Sequence, residues 1–342
     1  LASLEPPVEL GGVPVRIEAT AGLAERSADS PPVTPGAASL AMVELLRRAD
    51  VAMRQAKRGG PRVVRYEPAR DPANVDALIL GGELPRAIAK REFTVCFQPV
   101  VDLRSGMMVA AEALARWRHP VRGELDPRWF LQAVERSGLL ASFDEAVLQQ
   151  AMAAQARWRA IGINAPVAVN AAPRSLLDPE YPQRVRRALE QQNAAGEDLV
   201  IELTESLTLA DLDMADRTLS ELRALGVRLA LDDFGTRSSP LAMVTRLPSI
   251  DLKIDRSFVE GMTTSAESRA VVRSTVELGR SLGRSVVAEG VEREDQRREL
   301  VAMGCPMGQG HLFARPVPID ELMIMVSPGV DGVVGRLARP IE

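Results

Sequence analysis

The sequence predicts an eight-stranded α/β barrel preceded by a small α/β piece, and three observations carry that prediction. From about residue 92, short apolar runs alternate with stretches of helical periodicity over roughly 230 residues, the rhythm of a parallel sheet covered by helices. Most of these runs end in a carboxylate, an amide or a lysine, and barrels of alternating strands and helices carry their chemistry at the C-terminal strand ends. Charged side chains are almost never buried unless paired or liganding, so several in series argue for one convergent polar site.

Taken in order, residues 1–68 give a strand-like PVRIEATAGLA, a Pro/Ser/Gly-rich loop from Ala28 to Ala38, a helix LAMVELLRRADVAMRQAKRGG stopped by Gly59 and Gly60, and a strand VVRYEP. This piece is short for an independent domain and its strands have no obvious partners. Residues 69–85, with Pro72, Gly81, Gly82 and Pro85, read as a linker into a short helix. Residues 86–325 hold the barrel. Its strands are FTVCFQPVV, MMVAAEAL, PVAVN, LVIEL, VRLALD, DLKI, SVVAEG and a last one around GHLFA. The helical patterns between them are WFLQAVERSGLL running on into FDEAVLQQAMAAQARWRA, then YPQRVRRALEQQN, MADRTLSELRALG, SRAVVRSTVELGRSLG and REDQRRELVAMG. The tail, 326–342, carries Gly329, Gly332 and Gly335 and no readable chemistry.

With 342 residues and 46% hydrophobic composition the chain has ample material for a large core. A net charge of −4 gives no global basis for binding a DNA or RNA polymer or a membrane surface, so a nucleotide ligand would have to be recognised locally. Cys96 and Cys305 stand apart in apolar contexts, which suits buried, reduced thiols rather than a disulfide or zinc. No apolar run approaches the roughly 20 residues of a membrane span, and no signal peptide opens the chain. The expected location is cytoplasmic, for a chain that forms part of a longer protein whose upstream portion is free to be membrane-anchored.

The polar strand ends are Glu112, Asn170, Glu202, Glu205, Asp232, Asp233, Lys253 and Glu289. Carboxylates with an amide oxygen, and without histidine or thiolate, form a site for Mg²⁺ or Mn²⁺ rather than zinc. The adjacent pair Asp232 and Asp233 can hold two ions, which together activate a shared water and clamp a phosphodiester. Taken alone, the pair fits a turn or helix cap equally well. A kinase reading of Asp233-Phe234-Gly235 fails, because no Gly-rich phosphate loop and no HRD-type loop accompany it. Lysine is rare here, at 57, 90 and 253 only, so Lys253 inside the apolar run IDLKID stands out from a snorkelling strand-end residue. His119 and His311 read as structural, since one histidine alone makes a poor metal site.

FxxxFQPVVDLRSGxxxxxEALARWRHPxxGxxxPxxF, then VN, ELTES, LDDFG, LKIDRSFV, VVAEGVE and GQGHLFARP resemble, in order and over residues 86–325, the EAL domain of cyclic di-GMP phosphodiesterases. The resemblance implies a modified barrel whose first strand is antiparallel, and hydrolysis of cyclic di-GMP to linear pGpG with two Mg²⁺ or Mn²⁺ ions, Ca²⁺ being inhibitory. By position it implies Glu112, Asn170, Glu202, Asp232, Asp233 and Glu289 as metal ligands or metal-bridging residues, Lys253 as the residue that holds or polarises the attacking water, either as a base or as a hydrogen-bond anchor, and Gln98, Leu114, Arg116 and Asp255 as the dinucleotide's cradle. Gln309 and Pro316 match a ligand-facing edge, Glu205 a support for the loop after its strand, and Glu292 a position near metal and ligand. The resemblance also implies an EAL–EAL homodimer.

The N-terminal piece resembles the second half of a GGDEF domain without its signature loop, which implies an upstream sensory or GGDEF portion and no cyclase activity here. Two departures stand out. After LDDFG the residues are Thr236, Arg237, Ser238, Ser239 and Pro240, with Arg at a customary glycine and Pro at a customary serine. Phe97 replaces a common Tyr. The altered loop motivates an alternative, a catalytically impaired cyclic di-GMP receptor.

Overall fold

The structure is a computed structural model that describes residues 8–10, 13–15, 20–25, 38–57, 62–67, 75–204, 209–236, 240–247, 250–327, 335–338 and 341. It divides into two units, Leu1–Gly82 with Arg128–Phe130, and Glu83–Pro127 with Leu131–Glu342. In the first unit β1 (Val8–Leu10) pairs antiparallel with β2 (Val13–Val15), and β3 (Ala21–Leu23) pairs parallel with β4 (Val63–Arg65), the helix α1 (Ala38–Lys57) lying between them in sequence. A Cβ at Gly22 would sit 1.9 Å from the Ala49 carbonyl oxygen, so the bare glycine is what lets α1 lie against β3. Within the expected strand PVRIEATAGLA, β2 and β3 are the described parts; residues 16–19, most of the expected loop from Ala28 and the Gly59-Gly60 stop lie outside the described residues.

The helix α2 (Val75–Ala89) crosses the boundary between the units and contains Gly81, Gly82 and Pro85, which the sequence reading assigned to a linker. Leu80, Leu84 and Ala87 recur at helical spacing and are buried, which offsets about 1 kcal/mol per glycine and about 3 kcal/mol for proline in a helix interior.

In the second unit β5 (Phe93–Asp102), β6 (Met108–His119), β8 (Val167–Ala171), β9 (Leu199–Thr204), β10 (Arg228–Phe234), β11 (Ile250–Ile254), β12 (Val286–Ala288) and β13 (Met307–Gln309) form a sheet that closes through the β5–β6 pairing. β5 is antiparallel to both neighbours and the other barrel pairings are parallel. Two short strands lie outside the ring: β7 (Gly123–Leu125), a hairpin on β6, and β14 (Val317–Pro318), on β5. The connections carry α3 (Pro127–Arg136), α4 (Leu140–Ala160), α5 (Pro173–Leu176), α6 (Tyr181–Gln191), α7 (Leu209–Ala224), α8 (Pro240–Arg246), α9 (Arg256–Gly261), α10 (Ala266–Leu282), α11 (Glu294–Met303) and α12 (Ile319–Val326).

Two expectations are corrected. The long helical pattern after Trp129 breaks at Gly138, whose φ of +73° no helix accommodates, giving α3 and α4. The last barrel strand is Met307–Gln309 rather than the GHLFA run, which is a turn. Gly310 passes so close to Val291 that a Cβ would meet its carbonyl oxygen at 2.1 Å, and the chain bends away there. Phe97 is buried on the outer face, edge-on to Trp158 at 5.8 Å, so the missing tyrosine hydroxyl falls in a packed apolar layer.

Inside the barrel Ala168, Val200 and Ala230 form a small apolar layer. Side chains two apart on a strand share a face, so Asn170, Glu202 and Asp232, each two residues further along, sit on that inner face at the C-terminal end. The alternation of the strands thus gives the barrel a dry floor and a polar mouth.

Candidate active site

Lys253 Nζ stands at the centre of the mouth, with Glu289 at 2.6 Å, Glu202 at 2.8 Å, Asp232 at 3.2 Å and Glu112 at 3.3 Å. It is 2% exposed. Glu112 accepts from Asn170 Nδ2 and from Gln309 Nε2, both at 2.8 Å, and Gln309 Nε2 also donates to Gln98 Oε1 at 2.9 Å. Gln98 in turn donates to the Ala314 carbonyl at 3.1 Å. Residues from β5, β6, β8, β9, β10, β11, β13 and the segment after β12 therefore meet in one network.

Asp233 reaches the site by a local irregularity. The pairing of β10 with β11 slips between Leu231 and Phe234, and Asp233 has φ +57°. Consecutive residues on a regular strand face opposite ways; the bulge turns Asp232 and Asp233 towards the same site. Aspartate is among the few residues that adopt this backbone without large cost. Carboxylate oxygens of Asp232, Asp233 and Glu289 lie within 4.8 Å of one another. An all-oxygen set at this separation fits a hard divalent cation.

Four carboxylates around one ammonium leave the cluster short of positive charge. Burial and the neighbouring Glu112 push Glu202 well above the usual carboxylate range. Burial, opposed by Lys253 and reinforced by Asp232, takes Glu289 up to about 8. Burial with Asp232 and Asp255 takes Asp233 to about 6. Glu112 goes the other way: burial pushes it up, but Lys253, Gln309 and Asn170 outweigh that and hold it low. Burial alone would lower Lys253, yet Glu112, Glu202, Glu289 and Asp232 raise it well above the ordinary value, so the side chain keeps its proton and acts as a charged hydrogen-bond donor here.

Two cavities open on this network, and Glu112 and Leu114 line both. The smaller, about 170 Å³, is also bordered by Gln98, Asp232, Arg256, Glu289, Glu292, Gln309 and His311. The larger, about 410 Å³, is mostly apolar, with Leu131, Phe143, Val147, Ala171 and Pro173 in its wall and Asp144 on it. Asp144 is 8% exposed, its Oδ2 has no hydrogen-bond partner, and burial pushes it to about 6 against Ser175 and Arg184.

Of the remaining expected residues, Asp255 caps α9 by accepting from Ser257 N at 3.0 Å and bears on Asp233. Glu292 lies 3.7 Å from His311 Nδ1. Arg116 donates to the Ala115 carbonyl at 2.8 Å and faces Glu124 at 3.8 Å, and neither it nor Pro316 lines either cavity. Glu205 and the altered residues 237–239 lie outside the described residues; Pro240 opens α8. Asp144 and Arg256 line the cavities without any signal in the sequence, and His311, expected to be structural, borders the smaller cleft. The apolar helical setting of Asp144 gives no sign that it faces a cavity. His119, in contrast, is structural: its Nδ1 accepts from Val121 N at 3.2 Å and Arg122 N at 3.1 Å, which leaves Nε2–H to donate to Glu83. Cys96 and Cys305 are buried free thiols. Among the described residues no helix is long and apolar enough to cross a membrane.

A barrel with an antiparallel first strand and an acidic, lysine-centred mouth defines a class, and the chain belongs to it: the EAL domain family, whose model matches residues 82–316. Among its relatives, the bifunctional diguanylate cyclase/cyclic di-GMP phosphodiesterase MucR of Pseudomonas aeruginosa is 36% identical over 83% of this chain and 42% of its own length. Cyclic di-GMP phosphodiesterase PA2567 of the same organism is 32% identical over 94% of this chain and 54% of its own. The chain thus spans about half or less of these relatives. The solved structure of the PaMucR phosphodiesterase in complex with c-di-GMP matches 71% of this chain and 99% of its own, at 36% identity and a TM-score of 0.67.

Proposed function

We propose that the barrel is a metal-dependent phosphodiesterase that hydrolyses cyclic di-GMP to linear pGpG. The observation that carries this is the lysine-centred carboxylate cluster beside two cavities that share Glu112 and Leu114. Asp232, Asp233 and Glu289, with Glu112, Asn170 and Glu202, would hold Mg²⁺ or Mn²⁺, which when bound lowers the pKa of water and offsets charge on the phosphodiester. Lys253, kept protonated by its carboxylates, holds the attacking water by donating to it, and Asn170 and Gln309 fix the orientation of Glu112 through its two oxygens. Gln98, Leu114 and Gln309 cradle the dinucleotide from the cavity walls. Arg116, Asp255 and Pro316, which line neither cavity, would complete the cradle only by turning towards the ligand, and Glu292 serves beside metal and ligand, with Glu205 the expected support of the loop after its strand. Asp144 joins this set: a carboxylate in an apolar pocket accepts from the N1–H and the 2-amino group of a guanine. In this reading the domain works as an EAL–EAL homodimer, with residues 1–68 a partial GGDEF-like fragment and a sensory or GGDEF portion upstream of it.

Binding and turnover measured together test the reading. With Ca²⁺ the protein should bind cyclic di-GMP without cleaving it, and with Mn²⁺ or Mg²⁺ it should release pGpG. Binding under both conditions with no pGpG under either would replace the enzyme by a receptor.

A further inference from the structure

The wall of the smaller cleft holds four acids, Glu112, Asp232, Glu289 and Glu292, and a single guanidinium, that of Arg256. A dianionic dinucleotide entering this wall meets repulsion unless something other than the metal cluster answers its second charge. Arg256 is exposed at the start of α9, and its guanidinium has no hydrogen bond or ion pair among the described residues. Its stem lies flush on Gly290, the residue after Glu289: a Cβ built there would come within 2.6 Å of Arg256 Cβ. The absence of a side chain at residue 290, with its φ of +70°, thus holds the arginine against the rim beside the carboxylates. The other guanidinium near the ligand path, Arg116, is turned to Ala115 and Glu124.

Resting on the function proposed above, we propose that Arg256 binds the phosphodiester of the cyclic dinucleotide that is not being cleaved. The two phosphodiesters are separate charges; one goes to the carboxylate and metal cluster on the floor of the cleft, and the planar fork at its rim takes the other through paired N–H donors. Arg256 is therefore a substrate-positioning residue that acts on affinity more than on the chemical step.

Arg256→Ala and Arg256→Lys separate this role from others. Affinity for cyclic di-GMP is measured by calorimetry with Ca²⁺, and turnover with Mn²⁺ on cyclic di-GMP and on bis(p-nitrophenyl) phosphate, which has one phosphodiester. Arg256→Ala should weaken binding at least tenfold and raise KM more than it lowers kcat. Arg256→Lys, a charge without the fork, should fall between it and wild type. The loss of kcat/KM on the dinucleotide should exceed that on the single-phosphodiester substrate at least tenfold. Unchanged binding, or equal losses on both substrates, overturns the assignment. A wild type that neither binds nor cleaves cyclic di-GMP instead overturns the function on which the assignment rests.

Discussion

Asp144 is held by the fold in an environment that favours its protonated form, since burial takes it to about 6 from an ordinary 3.8 and leaves one oxygen unpartnered. A carboxyl raised by folding binds more protons in the folded state, so its contribution to stability falls as pH rises from about 3.8 through about 6. Asp144→Asn removes that loss. At pH 7.5 it should stabilise the ligand-free protein by about 1–3 kcal/mol in urea unfolding, with the gain vanishing below pH 4, and should weaken cyclic di-GMP binding at least tenfold. A variant no more stable at pH 7.5, or one that binds as tightly as wild type, would remove Asp144 from the site. Residues of this kind were not legible in the sequence: Glu112, Asp232, Asp233 and Glu289 announce themselves as charges at the ends of apolar strands, whereas Asp144 and Arg256 belong to helices, where a charge is unremarkable.

The elements that carry the site were legible because both faces of each strand are apolar and buried up to the C-terminal end, where a polar residue stands out. PVAVN, LVIEL and VRLALD alternate between the barrel interior and its helical cover, and the residues at their inner ends are the site residues. What alternation cannot give is where backbone is crowded. Leu312, Phe313 and Ala314 read as a strand, but the crowding of Gly310 against Val291 bends the chain before them. The bulge at Asp233 is equally silent in the sequence, because any strand pairing would accept the same residues. Gly310→Ala tests the crowding: its Cβ would meet Val291 backbone atoms at 2.1 and 2.3 Å, which side-chain movement cannot relieve. Unfolding in urea should show a loss of about 1–3 kcal/mol, with a raised KM because Gln309 and His311 flank the position. Unchanged stability would mean that the bend has another cause.

For the molecule as a whole, the carboxylate cluster exceeds its one internal cation, and folding tolerates this by keeping Glu289 and Asp233 protonated over part of the working pH range. Divalent ions compete with those protons. Their affinity should therefore rise by at least tenfold from pH 6 to pH 8, with proton release visible in calorimetry as a buffer-dependent enthalpy, and Mn²⁺ at 100 times its Kd should stabilise the protein by about 2.7 kcal/mol. An affinity independent of pH would show that these carboxyls do not hold the ion. The barrel and its order of strands were legible because the rhythm repeats along the whole second unit; the first unit, with its short paired strands, gave only a strand, helix and strand. The most direct test of the account is the rate of pGpG release with Mn²⁺ by the wild type and by Glu112→Ala, whose carboxylate is fixed by Asn170, Gln309 and Lys253. The wild type should release pGpG, and the variant should lose at least a hundredfold in kcat, the loss of a positioned group that acts in the transition state. Equal release by both proteins, or none by the wild type while it binds cyclic di-GMP, would contradict it.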